Sequence, residues 1–450
     1  MARGAIAAAL VLGAIGGEPS CHLTDSSCSL EQLPRDVSTL IYPGGATRCI
    51  FSDSPEYGFQ VIPGSSEKLL LFFQGGGACF NDVSSREADS APCLSHLVLQ
   101  PLFGIFNREK VSNPFRDYTI VHVNYCSGDL HVGNVLRWYL DRQLQRVEQR
   151  GYVNALAAVK WARKNVGQLS SLVVAGSSTG ALGAQLWMET ILQTFSYQAA
   201  ALLMDSDMAI LPSRTEGPLL KGFGACDTGL FESDAKQKCA AGELTIQAVL
   251  EQTMARHKEV TMAAISSLQD RMQVRFYNAV CMAEMLPADL TPYDFERKLM
   301  TRLEEYNRYP NFVTYLVPGD RNYFLPLEAF FGEAALPQWL STLPELAGQQ
   351  ISSFCSGNCG TLSSKSFMLT SHPVNQKGEL PKESAPSGEA KLIQVPELSR
   401  LPWWSSWYHA ALLSVALALC IGAFLDRRSP SSYSASRSFS EDDFSDEDKI

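Results

Sequence analysis

The chain has 450 residues, 46% hydrophobic and 19% charged, with a formal net charge of -10. It is long enough to bury a large core, and its composition is that of an ordinary globular protein. The acidic balance excludes the basic footprint of a nucleic-acid binder, and much of the charge sits in one run, residues 441–448.

The first residues, Met1-Ala2-Arg3 and an Ala/Leu/Val/Ile run to Ile15, resemble a secretory signal: one positive charge, a short apolar core, then small residues. Residues 1–17 are expected to be removed, because the apolar run is too short to hold a bilayer. Twelve cysteines fit an oxidising compartment, where disulfides are the default. No Cys or His cluster has zinc spacing, so neither a metal nor a cofactor is expected. Cys355-x-x-x-Cys359 reads as a small loop staple.

Residues 18–360 are expected to form the folded domain. Between about Ile50 and Leu346, apolar runs alternate with helical patterns. Lys68–Phe73, Tyr118–Val123, Leu172–Ala175, Ala200–Met204, Val260–Ile265 and Phe312–Val317 read as buried strands, each followed by a polar loop. Tyr152–Lys164 reads as a helix with Ala155, Ala158, Val159 and Ala162 on one face. Such alternation predicts an α/β fold of the α/β-hydrolase kind: a mostly parallel sheet with helices on both faces. Reactive groups in such sheets lie at the carboxyl ends of the strands, where these polar loops fall.

Residues 361–402 are rich in Ser, Lys, Pro and Glu and read as a polar stalk. Residues 407–425 are apolar and long enough to cross a bilayer. Trp403, Trp404, Trp407 and Tyr408 mark one edge, and Arg427 and Arg428 the other. A transmembrane helix with residues 426–450 as a Ser-rich cytoplasmic tail is expected, against the competing reading of a buried core helix. A lipid-anchor signal fits less well, because a polar tail follows. The expected setting is therefore the secretory pathway, as a single-pass membrane protein with its domain luminal or extracellular.

The strand at Leu172–Ala175 meets Gly176-Ser177-Ser178-Thr179-Gly180 and then an amphipathic helix from Ala181 to about Phe195. Strand, sharp turn and helix are the context in which the serine of G-x-S-x-G becomes a nucleophile. The small residues allow the turn to pack backbone on backbone, and the helix N-terminus favours developing negative charge. Ser178 is the candidate nucleophile; a tight Gly/Ser loop is the alternative. Acyl transfer also needs a base, a carboxylate to orient it, and oxyanion donors. Gly75-Gly76-Gly77 lies where an oxyanion loop belongs, although a glycine triplet alone is often only a turn. With it, the N–H of Thr179 would complete the hole. For the acid, Asp205 and Asp207 follow the strand after the nucleophile helix, and Asp270 follows the next; the strand order favours Asp270.

Several segments together resemble the pectin acetylesterase family, which includes the Notum carboxylesterases. They are Leu-Phe-Phe-Gln-Gly-Gly-Gly-Ala-Cys-Phe-Asn (71–81), Asn-Pro-Phe-Arg-Asp-Tyr-Thr-Ile-Val (113–121), Tyr-Cys-Ser-Gly-Asp-Leu-His-Val-Gly-Asn (125–134), Arg-Gly-Tyr-Val-Asn (150–154), Gly-Ser-Ser-Thr-Gly (176–180) and Ile-Ser-Ser-Leu-Gln-Asp-Arg-Met-Gln (265–273). The resemblance covers roughly residues 45–345. It implies an α/β-hydrolase fold, a secreted setting and deacylation of an oxygen ester. It also implies Ser178 as nucleophile, Asp270 as orienting acid, and Gly76, Gly77 and Thr179 as oxyanion donors. Disulfides Cys49–Cys126 and Cys79–Cys93 follow from it as well.

One turn departs from the family. Its bacterial-type members carry the histidine in a Gly-x-x-His turn after the last strand, and here that turn reads Gly319-Asp320-Arg321-Asn322. An amide does not accept a proton from serine at neutral pH. After Asp270 only His372 and His409 remain, and His409 falls at the membrane edge. His372 is therefore the candidate base, against the reading of an exposed stalk residue. His131, with Asp129 beside it, is expected at the rim in contact with substrate. Two classes of function stay open: a membrane-anchored esterase removing acyl, chiefly acetyl, groups from an acylated carbohydrate, or a pseudoenzyme that binds an acylated ligand or partner protein.

Overall fold

The structure, a computed structural model, describes residues 18–51, 56–80, 93–139, 145–332, 335–343 and 350–356, with 359, 362, 365–368, 378, 380 and 381. Strands β1 (Ser20–His22), β2 (Thr39–Tyr42), β3 (Phe59–Ile62), β4 (Ser65–Phe73) and β5 (Tyr118–Val123) lead to a hairpin of β6 (Val135–Tyr139) and β7 (Gln145–Gln149). Then follow α1 (Gly151–Asn165), β8 (Leu169–Ser177), α2 (Thr179–Thr194), β9 (Tyr197–Asp205), α3 (Glu216–Gly222), α4 (Ser233–Ala241) and α5 (Ile246–Arg256). The chain continues through β10 (Thr261–Ser267), α6 (Arg271–Ala283), α7 (Pro292–Tyr306), β11 (Phe312–Val317), α8 (Ala329–Gly332) and α9 (Ala335–Ser341). Short strands β12 (Gln350–Ser352), β13 (Phe354–Cys355) and β14 (Ser366–Met368) come last.

The main sheet has the order β1-β2-β3-β5-β4-β8-β9-β10-β11-β13. From β5 across to β13 every pairing is parallel; β3 runs antiparallel to both β2 and β5. The expected mostly parallel α/β sheet is thus present. Its central strands read as unbroken apolar runs because both faces are covered. Alternate residues serve opposite cores. Leu71, Val121, Val174, Leu202 and Met262 pack with Trp161 and Trp187 on one face. Phe72, Ile120, Val173, Leu203 and Ala263 pack with Phe324, Leu340 and Trp339 on the other.

Disulfides join Cys21–Cys28, Cys49–Cys126, Cys79–Cys93, Cys226–Cys239 and Cys355–Cys359, and Cys281 is a buried free thiol. The two bridges implied by the resemblance and the small loop staple are among them. The folded part runs past residue 360: Leu362 is fully buried, and β14 pairs antiparallel with β12. Lys365 Nζ donates to Asn307 O at 2.7 Å, and Gly378 N to Gln193 O at 2.6 Å, at the C-terminal end of α2. A stretch that is polar on average still carries enough apolar residues to add an edge strand. Among the described residues no helix is long and apolar enough to cross a membrane. The expected signal (1–17), transmembrane segment (407–425) and tail (426–450) lie outside the described residues.

Candidate active site

Strand β8 ends at Ser177, and Ser178 caps α2 with φ 50° and ψ -131°. A non-glycine residue there carries strain of about 1–3 kcal/mol, which persists only where the surroundings enforce it. They do so here. Ser178 N donates to Asp205 O at 2.8 Å, and Ala181 N to Ser178 O at 2.7 Å. A Cβ on Gly176 would lie 2.2 Å from Gly180 O, and a Cβ on Gly180 2.2 Å from Phe73 O. Both glycines of the motif are therefore required by backbone contact. The result is a half-buried serine at the head of a 16-residue helix.

The glycine loop follows β4 and lies against this elbow: a Cβ on Gly75 would sit 3.2 Å from Ser178 Cβ. Gly76 and Gly77 have φ values of 154° and 71°. Gly76 N already donates to the Thr179 hydroxyl at 3.0 Å, and Tyr125 Oη donates to Gly77 O at 2.9 Å. Of the two glycine donors expected, the Gly76 N–H thus has an internal partner.

Asp270 is fully buried and caps α6, accepting from Met272 N at 2.9 Å and Gln273 N at 3.1 Å through Oδ1. Its Oδ2 accepts from Asn322 Nδ2 at 2.7 Å. Burial pushes this carboxyl up to about 7, against the lowering effect of those three donors. Asp207, also buried, is pushed up to about 8, by burial first and by the Asp270 charge next among the raising effects. Asp205 has a different task. It accepts from Ser177 Oγ at 2.7 Å, Ser206 Oγ at 2.9 Å, Phe324 N at 2.9 Å and Leu325 N at 2.8 Å. It ties the nucleophile strand to the turn after β11.

That turn carries Asn322 and Tyr323. Asn322 Oδ1 is buried with no partner among the described residues. Tyr323 has φ 68°, a strained value for a bulky residue, and its N donates to Ser206 Oγ at 3.2 Å. Its hydroxyl stands beside Ser178 at the glycine loop: a Cβ on Gly75 would lie 3.1 Å from Tyr323 Oη and 3.2 Å from Ser178 Cβ. A histidine in a triad touches both the acid and the nucleophile. Here two consecutive residues stand in those places: Asn322 donates to Asp270, and Tyr323 lies beside Ser178. Sequence reading missed Tyr323; its only signal was its place directly after Asn322.

Residues 45–214 match the family model of the pectinacetylesterases. This pectinacetylesterase-like segment contains the glycine loop, Ser178 and Asp205, and ends before Asp270 and Asn322. Among solved structures, the Wnt deacylase Notum from Drosophila aligns with 15% identity and a TM-score of 0.46, over 64% of this chain and 86% of that one. No curated protein matches.

Within the pectinacetylesterase-like segment, His131 and Asp129 lie in the wall and not at the rim. His131 is buried between the Phe73 and Tyr125 rings, and its Nε2 donates to Gln74 O at 2.8 Å. Burial lowers it to about 4, so it stays neutral. Asp129 accepts from Ser127 Oγ at 2.6 Å and Gly151 N at 2.7 Å, capping α1. Both polar groups are consumed internally, which the pattern of the sequence does not reveal. His122 is likewise buried, on Asn124 and the Phe72 ring, and His257 faces Glu189. His372 lies outside the described residues. No group of His, Cys, Asp and Glu among the described residues is arranged to hold a metal. A cavity of about 660 Å³ at α6 and α7, lined by Tyr277, Leu290, Lys298 and Arg302 among others, includes none of Ser178, Asp270 or Asn322.

Proposed function

We propose that this chain is a carboxylic ester hydrolase of the secretory pathway, with Ser178 attacking an O-acyl ester, chiefly acetyl, of a luminal or extracellular carbohydrate. The observation that carries this reading is the enforced strain at Ser178, at the head of α2 and inside the pectinacetylesterase-like segment. Such strain is found where a hydroxyl must be presented outward. In this reading Thr179 N–H and the glycine loop receive the oxyanion, Asp270 orients the base, and the base is His372. Residues 407–425 would anchor the domain to a membrane, through the polar stretch expected over residues 361–402.

A second reading is favoured by one specific contact. The hydrogen bond from Asn322 to Asp270 satisfies the acid without any group able to take a proton. An acyl-binding protein with little turnover fits that contact.

Fluorophosphonate labelling and acetate release from an acetylated polysaccharide test both. The hydrolase reading expects one labelled site, lost in Ser178→Ala with acetate release reduced by about 10³–10⁶. A folded wild type that binds the acetylated polymer but neither labels nor releases acetate leaves the second reading.

A further inference from the structure

A Cβ on Gly75 would lie 3.1 Å from the Tyr323 hydroxyl oxygen and 3.2 Å from Ser178 Cβ, so the phenol stands at the glycine loop beside the serine. It therefore occupies the space between the glycine loop and the nucleophile, where the carbonyl oxygen of a bound ester belongs. The loop is short of one donor there, because Gly76 N–H is held by the Thr179 hydroxyl. We infer that the Tyr323 hydroxyl is the side-chain member of the oxyanion hole, donating to the ester carbonyl oxygen as Ser178 attacks. This rests on the hydrolase reading above.

The fold builds the placement in. Tyr323 is held in a left-handed conformation by Ser206 Oγ, and the two following N–H groups are held by Asp205. A donor fixed in advance needs no reorganisation when charge develops. The phenol also keeps its proton: burial, with Asp205, Asp270 and Asp207 nearby, pushes it up to about 12. It is thus a donor and not a base. In the step, the Ser178 Oγ–carbon bond forms and the carbonyl π pair moves to oxygen, while the serine proton leaves to the base. Tyr323 donates its O–H to that oxygen as the charge develops. Collapse restores the carbonyl and breaks the bond to the alcohol, which departs with the proton returned by the base.

Tyr323→Phe in the full chain removes one oxygen and keeps the ring. The readouts are kcat and KM for p-nitrophenyl acetate, fluorophosphonate labelling rate, and melting, from pH 6 to 9. The expected result is a fall in kcat of about 10²–10³, KM within about threefold, unchanged melting, and the same deficit at every pH. Labelling and turnover equal to or above wild type overturn the inference, since the hydroxyl would then merely restrain Ser178. A wild type that neither labels nor turns over defeats the hydrolase reading separately. The comparison then moves to Asn322→His, where labelling that is absent, or that does not fall when Tyr323→Phe is added, overturns the inference.

Discussion

The elbow after β8 and the turn after β11 occupy the same edge of the sheet, and both hold a residue against its backbone preference: Ser178 at φ 50° and Tyr323 at φ 68°. In the elbow, strain lifts a hydroxyl to the head of a helix. In the turn, strain aims Tyr323 at that hydroxyl while Asn322 reaches the acid. Asp205 binds to both, through Ser177 Oγ on one side and the Phe324 and Leu325 N–H groups on the other. The contrast separates two things that a triad normally fuses. Ser178 and Asp270 are each held in place by the backbone around them, while the turn beside them presents Asn322, whose Oδ1 has no partner among the described residues.

The largest expected effect comes from placing an imidazole in the turn itself. In Asn322→His, Nδ1–H would take the place of the amide that now lies 2.7 Å from Asp270 Oδ2, leaving Nε2 to face the nucleophile. Labelling of Ser178 and turnover should rise by about 10²–10⁴, the range a triad base is worth. A folded variant with no gain would break the comparison, because the turn would then not be the place of the base.

Cutting the tie between the two regions comes next. Asp205→Asn keeps the shape but turns one acceptor oxygen into a donor, facing either Ser206 Oγ or the set of Ser177 Oγ and the Phe324 and Leu325 N–H groups. Breaking such a buried network should lower stability by about 2–4 kcal/mol. Urea denaturation measures the loss, and labelling should fall with it if the two regions act together. Full stability would mean that the turn is held elsewhere.

The legible part of this chain is the part where one physical effect dominates. Strands β4, β5, β8, β9, β10 and β11 stand out because central parallel strands need apolar residues on both faces. The elbow stands out because close backbone approach demands glycine at 176 and 180. The place of Asp270 in the polar loop after β10 was legible from the apolar run before it; that it caps α6 was not. Short strands β1, β2, β12 and β14 were invisible, since a pairing of three or four residues leaves no period. His131 and Asp129 read as rim residues because burial and internal hydrogen bonds are decided by tertiary contacts. Tyr323 was unreadable for the same reason: its left-handed backbone is set by Ser206 and Asp205, distant in sequence.

The smallest effect per unit of change is the pH dependence that Asp270 gives to the turn side alone. Its folded pKa, about 7 through burial, stands above the unfolded carboxyl near ~3.9. The folded state thus binds the proton more tightly than the unfolded one. The sign follows: the stabilising contribution of this carboxyl is full below about pH 4 and is lost as pH rises towards 7, by at most ~1.4 kcal/mol per pH unit. The stability difference between wild type and Asp270→Asn should fall across that window and level off above it. A flat difference would mean that the acid is ionised throughout, as an acid already facing a cationic base would be. Adding Asn322→His should produce that flattening, since an imidazolium beside Asp270 favours the carboxylate. Parallel denaturation series at pH 4 to 8 on the three proteins therefore read, in the acid itself, whether the turn carries an amide or a base.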